Sequence, residues 1–309
     1  MTLGQLRVFL AVVRHRSINR AAAELFVTQP AVSASVTALE RELGVELVAR
    51  EGRGIQLTTS GEALARYAVQ SLALLEQGRD AAVAAMHPGR GRLRIAAVTT
   101  AGEYVVPPII KAFRSRFPEV EVFLEVGNRT WVFERLQERQ AEVGVGGRPP
   151  DPSPFEGLPF LGNKLVVVAA SNHPLARRRS IAPRQLADDV WLLREPGSGT
   201  ADTTEEYLAE HGIQPSTILR LGSNGAVKQA AALGLGVTLI SAQAVSLELS
   251  AGTLARLLVR GTPIRRRWFL LTLRGAFLPG PAQGLLDFVG TPTARRALRD
   301  ALRRRLPTA

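Results

Sequence analysis

From Gly61 to Met86 the chain runs without a proline and is rich in alanine and leucine. Leu64, Tyr67, Ala68, Leu72, Leu75, Ala82 and Ala85 form an approximate apolar stripe at helical spacing. Thr59 and Glu62 stand at capping-box spacing at its start. His87-Pro88-Gly89 stops it, and Gly89-Arg90-Gly91-Arg92 reads as a hinge. About 25 residues at a helical rise make a rod of roughly 38 Å. A rod of that length outruns a single small domain, so it separates an N-terminal segment from a C-terminal one. Its stripe predicts antiparallel pairing with a second copy, with packing on its own protomer as the alternative. The 309 residues then suit two or three folding units.

Three short helices are predicted before the rod. Leu3, Leu6, Phe9, Leu10 and Val13 share one face of the first. Ser17 is a plausible N-cap for the second, which turns Ile18, Ala21, Ala22 and Leu25 inward. Phe26-Val27 forms a turn, Thr28 caps the third helix, and Pro30 sits in its first turn, where a missing N–H costs little. Val32, Val36, Leu39 and Leu43 make its buried stripe, and Gly44 ends it. Gln29, Ser33 and Thr37, with Ser35 nearby, give another face that is small, polar and uncharged. Such side chains hydrogen-bond base edges and phosphates in a major groove. Val45 to Arg50, a turn Glu51-Gly52-Arg53-Gly54, and Ile55-Gln56-Leu57 read as a hairpin. Arg53 at its tip, with Arg50 before it, is a candidate for phosphate or minor-groove contact.

After the hinge, strands and helices alternate. Strands are predicted at 93–98, 120–126, 142–145, 165–170, 190–193, 218–221, 237–240 and 268–273. Helices are predicted at 103–117, 130–139, 203–211, 226–233, 282–289 and 293–305. Such βαβ traffic implies mostly parallel sheets in two α/β lobes, with 268–273 running back into the first. Ligands in such folds sit at strand C-terminal ends facing helix N-termini. Thr99, Thr100 and Gly102 follow the first strand, and Asn128, Arg129 and Thr130 the second. Gly147 follows the third. Ser198, Gly199 and Thr200 precede one helix, and Ser223 and Asn224 another. Simple helix capping also favours these residue types. Their convergence on one cleft, with Arg129 or Arg194 beside it, favours an anionic ligand.

The first 62 residues resemble the N-terminal domain of the LysR family of bacterial transcriptional regulators. The resemblance rests on Phe9, Ser17, Ala21-Ala22, Leu25, Thr28-Gln29-Pro30-Ala31-Val32-Ser33, Leu39-Glu40, Leu43-Gly44, Leu57-Thr58 and Gly61. It implies an α/β protein with three parts. These are a winged helix-turn-helix over 1–58, a linker and dimerisation helix with hinge over 59–91, and a periplasmic-binding-protein-like effector domain over 92–309. Lobe I of that domain would comprise 92–163 and 268–309, and lobe II 164–267. The family's third helix enters the major groove and its wing the minor groove, which carries over to Gln29, Pro30, Ser33 and Arg53. Many members have Arg or Lys just after the serine. Here Ala34 stands in that place, which shifts base reading to Gln29, Ser33, Ser35 and Thr37. "EVGNRTWVFERL", "GRPPD", "LLREPGSGT" and "LGSNGAVKQAAALGLGVTLIS" are similar to the subgroup that regulates carbon-dioxide fixation and sulfur-oxyanion metabolism. That resemblance implies a phosphorylated sugar, phosphoenolpyruvate, NADPH or a sulfur oxyanion as effector, and promoter DNA as partner. It also implies a homodimer or homotetramer and contact with RNA polymerase.

Composition narrows the alternatives. With no cysteine, disulfides, zinc–thiolate sites and cysteine nucleophiles are excluded. Arg7 and Arg14 interrupt the apolar start, so no secretory signal is read, and no run reaches membrane-helix length. A cytoplasmic protein without resident cofactor is expected. His15, His87, His173 and His211 have no partner at metal-ligand spacing, and Gly144-Val145-Gly146-Gly147 is too short for a dinucleotide fingerprint, so an enzyme is disfavoured. A solute-binding transport protein would leave the first 90 residues unexplained. A DNA-binding protein whose second half only oligomerises stays open. The net charge of +12 is a weak guide, because residues 1–58 hold seven arginines against five glutamates and so carry only +2 of it.

Overall fold

The computed structural model describes residues 1–51, 54–86 and 89–303. Their contacts divide the chain into two compact units: Met1–Arg79 with Gln137–Gln140, and Asp80–Leu136 with Ala141–Ala309.

The first unit opens with α1 (Leu3–His15), α2 (Ile18–Leu25) and α3 (Gln29–Leu43). Thr2 and Gln5 close a reciprocal capping box on α1, and the Ser17 hydroxyl accepts the Arg20 N–H on α2. Ala21 and Ala22 are buried against Ala11, Val12, Val32 and Val36, where their small side chains let the three helices approach closely. Thr28 occupies the N-cap position of α3, but its hydroxyl makes no capping bond. The wing is the antiparallel pair β1 (Val48–Glu51) and β2 (Gly54–Leu57). Glu40 ties α3 to it by accepting the N–H groups of Leu47 (2.8 Å) and Val48 (3.2 Å). The expected wing tip, Arg53, lies outside the described residues.

Helix α4 (Thr59–Met86) runs for 28 residues. Its cap is Thr58 rather than the expected Thr59: the Thr58 hydroxyl accepts the Gly61 N–H and donates to the Glu46 carbonyl. Leu64 and Ala65 pack on Phe9, Leu39 and Leu47, while Tyr67, Leu74 and Leu75 leave an exposed apolar face. At Gly61 the helix passes so close to the wing that a Cβ would lie 2.0 Å from the Leu47 carbonyl oxygen. Backbone cannot yield as a flexible side chain does. Gly61→Ala is therefore expected to lower stability by about 2–3 kcal/mol, read as a fall in thermal midpoint.

The second unit has the two expected lobes. Lobe I is built from β3 (Gly91–Val98), α5 (Thr99–Tyr104), α6 (Val106–Arg116), β4 (Val120–Gly127), α7 (Arg129–Gln137) and β5 (Val143–Gly146). A single helix over 103–117 was expected, but Val105 breaks it, and Pro107-Pro108 open a second one. β4, β3 and β5 are parallel, with β3 central. The long strand β6 (Phe155–Ala170) crosses from lobe I into lobe II. Only its last third was predicted, because Gly157, Pro159 and Gly162 mask the rest. Pro159 is tolerated there since that stretch of β6 pairs on one side only.

Lobe II contains β7 (Trp191–Arg194), α8 (Gly199–Glu210), β8 (Ile218–Leu221), α9 (Asn224–Ala232), β9 (Thr238–Ser241), α10 (Ser246–Ala251) and β10 (Leu254–Leu257). The last helix and strand of that series were not predicted. β11 (Ile264–Leu273) then returns to lobe I antiparallel to both β6 and β5, making the sheet mixed rather than mostly parallel. α11 (Gly280–Val289) and α12 (Pro292–Arg303) follow. Alternation along the strands splits lobe I into a core under α6, α11 and α12, and an opposite core under α7. Among the described residues, no helix is long and apolar enough to cross a membrane.

Candidate functional site

A cleft in the second unit lies where strand ends of lobe I face lobe II across the crossing strands. Its wall includes Thr99 and Thr100 from α5, Asn128 and Arg129 at the start of α7, and Gly147 just past β5. From lobe II come Ser198, Gly199 and Thr200 at the start of α8, together with Arg194 from β7. Three helix N-termini thus point partial positive charge into one space. Side-chain caps set two of them. Asn128 Oδ1 accepts the Trp131 N–H (2.9 Å), starting α7. Ser198 caps α8, which begins four residues before the expected start at 203.

Four of the expected ligand residues stand outside the wall. Gly102 is buried under Val126, where a Cβ would meet the valine side chain at 2.6 Å. Thr130 lies beside Gly197 instead of in the cleft. Ser223 is the exposed N-cap of α9, accepting from Ala226 N–H at 3.1 Å. Asn224 is fully buried and bridges the lobes: its carbonyl accepts from Arg194, and its amide donates to Thr100 Oγ1 at 3.0 Å. For Ser223, helix capping accounts for the residue type.

Four arginines line the cleft, and they are not equivalent. Arg194 is buried and already neutralised, donating to both Glu195 oxygens (2.7 and 2.8 Å) as well as to Asn224 and Thr99. Arg129 pairs with Asp202 (3.5 Å) and lies over the Phe133 ring. Arg267 is exposed. Arg266, on β11, makes no ion pair with a carboxylate among the described residues. Its Nη1 donates to the Gly199 carbonyl (2.8 Å) and to Thr203 Oγ1, while its Nη2 faces Gly147 and Gly199. Burial first, and then the charge of Arg129, hold its pKa below the usual arginine value, against a weaker opposite pull from Glu206 and Asp202. The wall contains no aspartate or glutamate. It is an electropositive recess in which one half-buried cation makes no direct ion pair, which suits a small anion. The recess is small, about 40 Å³, which suits a compact anion.

Arg266 was not picked out from the sequence. The signal was there: Ile264, Arg266 and Trp268 alternate on one face of β11, so a charged side chain sits between two inward-turned apolar ones. Arg265 and Arg267, exposed on the other face, conceal it within a basic run.

In the first unit, Thr28, Gln29 and Pro30 are exposed at the start of α3, with Thr37 exposed two turns on and Ser33 and Ser35 half-buried. Gln29, Ser33 and Thr37 fall four apart on a face that adjoins the buried stripe of Val32, Val36 and Leu39. Arg50 lies in β1. Among the described residues there is no cluster of His, Asp and Glu fit to hold a metal ion.

Two family models match the chain. "Bacterial regulatory helix-turn-helix protein, lysR family" covers residues 3–62, and "LysR substrate binding domain" covers 87–292. A "RuBisCO operon transcriptional regulator" of Acidithiobacillus ferrooxidans is 37% identical over 293 residues, 95% of this chain and 94% of that one. The regulatory domain of Synechocystis PCC6803 CcmR, solved in complex with 2-PG, is 35% identical with a TM-score of 0.61. That match covers 64% of this chain and 95% of that one. Full-length CbnR, solved with its target DNA, matches at TM-score 0.72 over 96% of this chain and all of that one. At 22% identity, this last likeness speaks for the fold.

Proposed function

The chain belongs to the LysR family of bacterial transcriptional regulators, DNA-binding proteins that carry a small-molecule-binding domain, and we propose that its effector is a small anion held by the charge of Arg266. The observation that carries the proposal is the half-buried Arg266 guanidinium in the interlobe cleft, which makes no ion pair with a carboxylate among the described residues. Thr99, Thr100, Asn128, Ser198 and Thr200 would supply hydroxyl, amide and N–H groups around the same anion. Asn128 and Ser198 would do so with donors not used in capping.

The proposed division is a DNA-reading unit over 1–58, a connecting helix and hinge over 59–91, and an effector domain over 92–309. Lobe I would take 92–163 and 268–309, and lobe II 164–267. The exposed face of Tyr67, Leu74 and Leu75 on α4 supports pairing with a second copy into a homodimer, from which a tetramer and contact with RNA polymerase would be built. Promoter DNA would be read by Gln29 and Ser33, with Thr28, Pro30, Ser35 and Thr37 around them and Arg50 and Arg53 on the wing. Effector binding would shift the balance between open and closed lobes and, through α4, the spacing of two DNA-reading units.

Thermal shift of the full chain against 2-PG, phosphoenolpyruvate, a sugar phosphate, thiosulfate and NADPH tests the effector reading. Compact dianions should raise the midpoint, and NADPH should not. A shift with none of them would favour a second half that only oligomerises.

A further inference from the structure

Phe26 is the most exposed large apolar side chain in the described residues, with 96% of its surface open. It packs into none of the hydrophobic clusters of the unit. Its backbone is left-handed (φ 54°, ψ 40°), because the chain reverses there between α2 and α3. Glycine or asparagine is the usual choice for such a turn. A phenylalanine here therefore bears two costs, solvent exposure and a disfavoured backbone; hydrogen bonds from the Phe26 and Val27 N–H groups to the last turn of α2 offset part of the second, and the first is left standing. That combination points to a surface that is covered when the protein works.

The neighbours identify the cover. Residues 26–31 are exposed without interruption, and they run directly into the first turn of α3. In a helix-turn-helix the second helix of the motif lies in the major groove and its N-terminal residues meet the base edges. Here that helix is α3, and Phe26 stands three residues ahead of Gln29. We propose that Phe26 is an apolar DNA contact, packing on the thymine methyls and sugar edges that border the N-terminus of α3. Thymine's methyl is the apolar group of the major-groove floor. The inference rests on α3 being the recognition helix, and its test separates the two.

The probe is a duplex that the full-length wild-type chain itself selects from a random-sequence pool. Phe26→Gly removes the ring and suits the left-handed backbone. It should weaken binding to that duplex about tenfold per bound reading unit, with thermal midpoint and oligomeric state unchanged. Phe26→Tyr keeps the ring and should stay within about threefold of wild type. An apolar contact releases no counterions, so the slope of log affinity against log salt should be the same in Phe26→Gly and wild type. A displaced helix would lose phosphate contacts and flatten that slope. Affinity of Phe26→Gly within twofold of wild type overturns the proposal. So does a flattened slope, or a loss in Phe26→Tyr as large as in Phe26→Gly. Gln29→Ala serves as the control. If it loses discrimination while Phe26→Gly changes nothing, the Phe26 contact is wrong and the recognition helix stands. If neither matters, the reading of α3 is itself wrong.

Discussion

Arg266→Met is expected to weaken effector binding by at least a hundredfold while leaving the folded chain as stable as before. The two halves of that expectation come from the same fact. Removing one member of a buried charge pair costs about 2–5 kcal/mol, largely because the other charge is left without a partner. In the effector complex that other charge is the anion, so the penalty falls on binding. In the free protein no carboxylate pairs with Arg266 among the described residues, and the methionine side chain removes a half-buried charge without orphaning another. Arg194→Met should behave oppositely. It strips Glu195 and Asn224 of the guanidinium that holds them, so stability should fall. Arg129→Gln should lie between the two, because Asp202 already shares the charge of Arg129. Titration calorimetry with whichever anion shifts the wild type, beside a melt of each variant, reads both quantities. Wild-type affinity in Arg266→Met would sink the assignment of the anchor.

The unequal arginines also mark how far the sequence alone reaches. The position of the cleft was legible, since helix N-termini after strands 91–98, 120–127 and 191–194 bear polar and glycine residues that report themselves by type. Their individual roles were not. Ser198 lines the cleft and Ser223 does not, although each caps a helix with the same chemistry. Asn224 resembles a ligand residue, yet its bonds are spent on Arg194 and Thr100. Which arginine remains without a counter-charge depends on Glu195 and Asp202 lying beside Arg194 and Arg129. The second of those pairs joins elements 73 residues apart in sequence. In the fold, the helices of the first unit followed from apolar periodicity. The first two-thirds of β6 did not, because glycine and proline look like a loop when pairing on one edge alone keeps them in a strand.

Replacing Gln29 and Ser33 together by alanine is expected to erase most of the preference for the selected duplex and little of the affinity for random DNA. Gln29 is exposed at the first helical position of α3, and Ser33 lies one turn on along the same face. A well-placed polar side chain on a base edge is worth about 1–3 kcal/mol of discrimination, so two of them predict a loss of specificity on the order of a hundredfold or more. Neither residue carries charge, so the substitutions release no counterion and the salt slope should hold. The modest charge of the region sharpens the expectation. With a net of only +2 over residues 1–58, no broad basic surface stands ready to replace lost base contacts by phosphate attraction. Specificity here has to come from a few placed groups and from the geometry of paired reading units. Footprinting the double variant and wild type side by side on the same fragment decides it. A footprint with unchanged boundaries and selectivity would mean that some face other than the start of α3 reads the bases.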